Sequence, residues 1–349
     1  MPQSKAELVL DAIIRKSRVH LYKPIQIAEI LLHHRTEKGW DLEDLESYRN
    51  ISKRWRDEIS IRLVGRKSTS SQKYQDNIFE DNAMPPKLLK ALGDINKEEA
   101  GRIEAYIYAA LKARLLNVYE VKEYIKKTTS ERFSLKKLVS LFENSPGLKR
   151  SIDKMYEILV YALFIAIVRA LKIRVTMEIK NPDKEMLRDF DSFIGTVLGF
   201  MPESTQVVMS ATLFRAGVAN AADRGLDMWT NFGAAIQVKH IVLTPDILED
   251  ISDDICADRI VIVCLTQEKR AIEAVLKQVG WGAKIQGIVT IDDLDKWYKI
   301  CLSKKYKSLI GAYLLRDMER EFEGEFPSST EIEPFMKERG YDKLLTSQK

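Results

Sequence analysis

The chain has only three cysteines among its 349 residues, Cys256, Cys264 and Cys301. An odd count with no Cys-x-x-Cys pair argues against a disulfide framework and against a zinc-finger scaffold. Histidine is also scarce: His20, His33, His34 and His240, none in a His-Glu-x-x-His arrangement. Zinc-hydrolase chemistry and a Ser-His-Asp triad therefore have no motif to rest on. Long apolar runs are missing. The longest, "ILVYALFIAIV" at 158–168, stops at Arg169 after eleven residues, whereas a bilayer crossing takes ~20. It reads as a buried helix. The N-terminus lacks the charged-then-apolar-then-small pattern of an export signal, so a reducing cytoplasm is the expected compartment. Neither charge sign is in large excess. A net charge of +4 neither demands nor excludes a nucleic-acid partner, which leaves the local clustering of cations to decide.

What is present is a globular composition, 45% hydrophobic and 30% charged, on a chain long enough for two domains or one elaborated domain. Residues 1–150 read as a mostly helical N-terminal region. "KPIQIAEILLHHR" (23–35) and "EEAGRIEAYIYAALKARLL" (98–116) space their apolar residues as helices do. Between them, "SKRWRDEISIRLVGRKSTSSQKYQDN" (52–77) interleaves cations with Trp55 and Tyr74. Such a stretch suits phosphate contact, and it equally suits a solvated helix followed by a surface loop. Its DNA-contact candidates are Arg62, Arg66 and Lys67. "ENSPGLKR" (143–150) is a turn and a boundary.

From 151 to 349 the pattern is mixed α/β. A long apolar helix over 151–171 leads into a strand, "IRVTMEI" (173–179). Residues 181–222 read as a helical insertion, "PDKEMLRDFDSFIGTVLGF" and then "STQVVMSATLFRAGVANAA". Two strands, "LDMW" and "AAIQVKHI", follow as a hairpin turning at Thr230 to Gly233. "TPDILEDISDDIC" (244–256) and "QEKRAIEAVLKQVG" (267–280) read as helices. "RIVIVCL" (259–265) is a strand buried on both faces, and "IQGIVTI" (285–291) is another. The predicted fold is a mixed sheet flanked by helices.

The hairpin carries the chemistry. Side chains alternate along a strand, so Gln237 and Lys239 share a face and Val238 takes the other. A connection this short brings Asp227, on the neighbouring strand, alongside them. Burying an acid, an amide and an amine among apolar residues is costly unless they serve one another or a ligand. A hard divalent cation takes oxygen ligands. Asp227, the Gln237 side-chain oxygen and the Val238 carbonyl can supply three, and Lys239 can hold or deprotonate an attacking water. One literal rival exists, Glu178-Ile179-Lys180. No acid lies on a strand just before it, and Pro182-Asp183 comes after it, so it reads as a strand end with solvated charges. His240, next to Lys239, points to the opposite face and reads as structural. Trp229 and Trp281 read as core. Arg224, just before the hairpin, can touch DNA or solvate a turn.

Asp-x(9)-Gln-x-Lys on a hairpin resembles the PD-(D/E)xK nucleases, with Gln in the place usually taken by Glu. "KSRVHLYKPIQIAEILLHHR" together with "DMWTNFGAAIQVKH" is similar to the HaeII-type type II restriction endonucleases, over most of the chain. That resemblance implies a restriction-endonuclease-like fold and cleavage of both strands of double-stranded DNA at a palindrome of the RGCGCY type. It implies Mg²⁺ as the cofactor, with Mn²⁺ able to substitute. A palindromic target is matched by a two-fold homodimer, and a cognate DNA methyltransferase belongs to the same system. Superfamily members often add an acid from the helix before the sheet. Glu157, in "SIDKMYEILVYALF", occupies that place, against the plainer reading that it pairs with Lys154. Two other functions fit the same residues: a repair or junction nuclease that cuts by structure, and a non-catalytic DNA-binding protein with a decayed nuclease fold.

Overall fold

The computed structural model describes residues 4–68, 75–145, 147–181, 183–201, 204–216, 226–239, 257, 259–264, 285–328 and 330–346. The chain divides into two compact units. One comprises Met1–Ile158 and Met318–Lys349, the other Leu159–Ala216 and Asp223–Asp317. Among the described residues no helix is long and apolar enough to cross a membrane.

The N-terminal residues are helical, as their periodicity predicts: α1 (Lys5–Lys16), α2 (Tyr22–Thr36), the single turn α3 (Leu45–Tyr48), α4 (Ile51–Val64), α5 (Pro86–Glu98), α6 (Arg102–Lys127) and α7 (Leu135–Asn144). Ser4 starts α1 with a capping box, its hydroxyl accepting from Glu7 N–H while the Glu7 carboxylate accepts from Ser4 N–H. Within 98–116 the chain breaks at Gly101, whose φ of +102° belongs to the left-handed region, so α5 and α6 are separate helices. α2 is buried along Pro24–Leu31, polar residues included. Gln26 accepts from Arg56 and donates to Ser52. Glu29 accepts from the Tyr108 hydroxyl and from Arg339.

α8 (Ile152–Ala170) is the long apolar helix. β1 (Arg174–Glu178), α9 (Lys184–Asp189), α10 (Asp191–Thr196), β2 (Gln206–Ser210) and β3 (Leu213–Arg215) follow. The expected second helix of the insertion, over 204–222, fails here: 206–215 form two strands. Exposed and half-buried residues alternate along β2 with period two, and the β-branched pair Val207-Val208 favours a pleated surface over a helix. β2 pairs antiparallel with β1, Arg174 opposite Ser210 and Glu178 opposite Gln206, as a two-stranded ribbon.

β4 (Met228–Thr230), β5 (Ala234–Lys239), β6 (Arg259–Cys264) and β7 (Ile285–Thr290) complete a five-stranded mixed sheet in the order β3-β4-β5-β6-β7. β3, β4 and β5 form an antiparallel meander, whereas β5, β6 and β7 run parallel. β6, the central parallel strand, is the one whose sequence reads as a continuous apolar run, and Ile260, Ile262, Val263 and Cys264 on it are buried. The helices expected between β5 and β6 and between β6 and β7 lie outside the described residues. Thr290 ends β7 and caps α11 (Ile291–Cys301) through a capping box with Asp293. α11 packs on the second half of α8: the Tyr298 hydroxyl donates to the Leu159 carbonyl at 2.8 Å and Phe164 lies 6.0 Å from Trp297. α12 (Ala312–Glu325), α13 (Ile332–Glu338) and α14 (Tyr341–Thr346) close the chain. In the first unit Tyr341 donates to Glu104, which also holds Arg35 and Asn96.

Candidate active site

The hairpin forms as its sequence predicts. Met228 faces Ile236 and Trp229 faces Ala235, and one further step places Asp227 opposite Gln237. Directly opposed residues of an antiparallel pair project to the same face. Asp227, Gln237 and Lys239 therefore share one face of the sheet, with Ala235 and Trp229 beside them. The turn between the strands is fixed by its own polar groups. Thr230 Oγ1 accepts from Ala234 N–H at 2.8 Å and donates to its carbonyl at 3.1 Å. Gly233 adopts φ +88°, which only glycine takes without strain. Arg259, at the start of β6, donates to the Phe232 carbonyl and braces the tip.

Asn231 ties this hairpin to the chain ahead of it. Its side-chain oxygen accepts from Thr212 N–H at 2.9 Å and its amide nitrogen donates to the Ser210 carbonyl at 2.8 Å. Thr230, Asn231 and Arg259 are the positioning residues that the sequence reading did not single out. The only available signal was an Asn two residues before a turn glycine.

Asp227 is anchored on both its backbone and its side chain. Its carbonyl accepts from Ala216 N–H at 2.8 Å on the β3 side, and its Oδ2 accepts from Val238 N–H at 2.7 Å on the β5 side. In a strand the N–H and C=O of one residue point to the same side. The Val238 carbonyl is thus directed toward the side on which the Asp227 carboxylate lies. Gln237 is 2% exposed, and its Oε1 is buried with no hydrogen-bond partner among the described residues. A buried amide oxygen without a donor costs about 1–3 kcal/mol. Lys239 is half-buried on the same face. Carboxylate, orphaned amide oxygen and backbone carbonyl are all hard oxygen donors, so the set suits Mg²⁺ or a similar cation. It carries a single negative charge from Asp227, and no cluster of three acidic, His or Cys ligands occurs among the described residues.

The other predicted positions are placed as follows. Glu157 is buried on α8 and both its oxygens take the Lys154 amine, at 2.7 and 2.8 Å. Arg62 binds Glu338 at 2.7 Å and lies over the Phe335 ring. Arg66 donates to His20 Nε2 at 3.0 Å and to the Glu325 carbonyl. Lys67 is exposed. Arg224, His240 and Trp281 lie outside the described residues. Glu178 and Lys180 end a ribbon strand, 53% and 83% exposed and 3.8 Å apart. Trp229, expected in the core, is instead 42% exposed and stacks on the equally exposed Phe214, centroids 5.6 Å apart. The register sets Trp229 opposite Phe214 of β3, the edge strand, so the pair lies at the margin of the sheet.

The model of the HaeII restriction endonuclease family matches residues 6–341. The chain is 47% identical over 342 residues to "Type II restriction enzyme HaeII" of Haemophilus aegyptius, covering 97% of each chain. It is 47% identical over 349 residues to "Type II restriction enzyme NgoBI" of Neisseria gonorrhoeae, covering 99% of each. No solved structure matches. A match from residue 6 to residue 341 takes in the hairpin and the helices on either side of it, and on that ground the chain belongs to the HaeII restriction endonuclease family of type II restriction enzymes.

Proposed function

We propose that this type II restriction endonuclease, a site-specific deoxyribonuclease, hydrolyses DNA at the β4–β5 hairpin by the chemistry of the PD-(D/E)xK nucleases, at a palindrome of the RGCGCY type. The observation that carries the reading is the buried Gln237 Oε1, without a hydrogen-bond partner among the described residues, on the same strand-pair face as the Asp227 carboxylate. Asp227, Gln237 Oε1 and the Val238 carbonyl would hold Mg²⁺, or Mn²⁺ in its place. Glu157 instead pairs with Lys154 on α8, and the proposed site is built without it. When bound, the divalent ion supplies a Lewis acid that offsets charge growing on the phosphate.

The protein's own contribution is positioning. The Val238 N–H fixes the orientation of the Asp227 carboxylate, so little reorganisation remains for the moment of reaction. Lys239, on the same face, would orient the attacking water in line with the leaving group, or neutralise a phosphate oxygen. Two copies of the chain on a two-fold axis would present two such hairpins, one to each strand of a palindrome. Mg²⁺, the homodimer and a cognate methyltransferase are parts of this proposal.

The test is a plasmid with one RGCGCY site. Linear product should form only with a divalent cation, and neither Asp227→Ala nor Lys239→Ala should yield it while each keeps native circular dichroism. Metal-independent cleavage, or full activity in both variants, would reject the hairpin as the site.

A further inference from the structure

The insertion between β1 and β2 carries an apolar stripe that is exposed among the described residues. Met186, Phe190, Phe193 and Val197 are 48%, 54%, 52% and 62% exposed. Their spacing, four, three and four residues, is that of one face of a helix. Backbone bonds from Phe190 N–H to the Met186 carbonyl and from Ile194 N–H to the Phe190 carbonyl carry the helical path across the joint of α9 and α10. Leu198 and Met201 extend the exposed apolar surface, at 39% and 75%. No residue of α9 or α10 is buried. Only Leu187 and Ile194, roughly a quarter-turn round the helix from the stripe, are half-buried. A helix apolar over so wide an arc is built to be covered.

We infer that this stripe is the surface through which two copies of the chain pair. Six side chains exposed to this degree present roughly 600 Å² of apolar surface, taking ~200 Å² for a large side chain. That equals or exceeds the largest patch on an ordinary monomer, ~300–600 Å². It also exceeds the apolar part of a standard interface, which buries ~800 Å² per partner with just over half of it apolar. The charges on α9 and α10 are Lys184 and Arg188 against Glu185, Asp189 and Asp191, a net charge of −1. A duplex is a poor occupant, since apolar side chains with a net negative rim repel phosphates. A second copy is a good one. Both signs are present on one surface, so a two-fold axis can set cations against acids while the phenyl rings meet. The ribbon beneath gains from this too, because an isolated two-stranded hairpin is marginal in water. The inference deepens the homodimer of the proposed function and rests on that reading, but its test needs neither metal nor cleavage.

The experiment is sedimentation at tens of micromolar, with and without a palindromic duplex, of the full chain and of Phe190→Asp/Phe193→Asp. The native chain should sediment as a dimer. The double variant should be monomeric, its dissociation constant raised roughly 100-fold or more, with unchanged circular dichroism because both positions are already solvated. A native chain that stays monomeric in both conditions, or a double variant that dimerises as the native chain does, overturns the proposal. Val197→Cys guards against a misfolded double variant: a short bismaleimide should link it into a covalent dimer well above the native chain's background, Cys264 and Cys301 being buried. Crosslinking no greater than that background also overturns it. A dimer that crosslinks but does not cleave leaves this surface standing and counts against the hairpin instead.

Discussion

The Asp227 carboxylate is held by the backbone of Val238, Oδ2 to N–H at 2.7 Å, so the acid and the strand bearing Gln237 and Lys239 are locked together by one hydrogen bond. This bond separates charge from architecture. Asp227→Asn keeps an oxygen acceptor for Val238 and loses the negative charge. Asp227→Ala loses both. Cleavage should fall by roughly 10³-fold or more in each, equivalent to ~4 kcal/mol of barrier, while only Asp227→Ala loses stability, by about 1 kcal/mol. Glu178→Ala and Lys180→Ala, on the exposed ribbon, should keep most of the activity. Activity retained in Asp227→Asn would mean that the carboxylate only staples the hairpin.

The hairpin was legible because alternation, a short turn and three polar side chains among apolar ones all point to one strand pair. β6 was legible as a continuous apolar run, and β7 as a further strand after it. The ribbon strand 206–210 was less so: Met209 and Ala211 suit a helix, Val207 and Val208 a strand, and the pairing with Arg174–Glu178 decides between them. Trp229 was misplaced because composition does not reveal an edge strand. The basic stretch concealed most. Lys53 pairs with Asp76, and Arg56 is buried against Gln26, Asp57 and Gln75. Those partners come from distant or flanking positions that a list of cations does not disclose.

The basic segment should therefore give a divided response. Arg66 holds two buried acceptors, so Arg66→Ala should cost about 1–3 kcal/mol of stability. Arg62 sits in an exposed, solvent-screened ion pair with Glu338, and can exchange it for a phosphate. Lys67 is exposed. If both reach DNA, neutralising Arg62 and Lys67 together should reduce the slope of log affinity against log salt by up to ~1.8. An unchanged slope would assign this surface to packing alone.

His20 provides a pH test of the same region. Burial, with Arg66 and Arg18 nearby, pushes its imidazole down from 6.5 to about 3, so it stays neutral and accepts from Arg66. A folded value below the unfolded one means that its contribution is complete above pH 6.5 and is lost as pH falls toward 3. In that window the slope approaches ~1.4 kcal/mol per pH unit. His20→Gln keeps an acceptor and removes the titration. Its urea midpoint should fall less steeply than the native one between pH 6 and pH 4, and parallel curves would remove His20 from the acid response.

Gln237 decides what the hairpin is for. Its Oε1 is buried and without a donor among the described residues, an arrangement that is costly in an empty strand and useful beside a cation. Gln237→Glu is nearly isosteric and adds one negative charge facing Asp227. With a metal at this place, the second carboxylate should raise Mn²⁺ affinity by about tenfold or more, because carboxylates bind hard cations better than amides do. Without metal, two acids on one face should repel each other, raise the pKa of one of them and lower stability as pH rises above the ordinary carboxylate range. The same charge should weaken metal-free DNA binding by repelling the scissile phosphate. Turnover has no fixed sign, since tighter ion binding in the ground state need not carry over to the transition state. Calorimetric titration of the metal-free protein is thus the deciding measurement. Equal Mn²⁺ affinity in the native chain and in Gln237→Glu would leave Gln237 a strand residue with an unmet hydrogen bond, and the metal would have to be sought elsewhere in the chain.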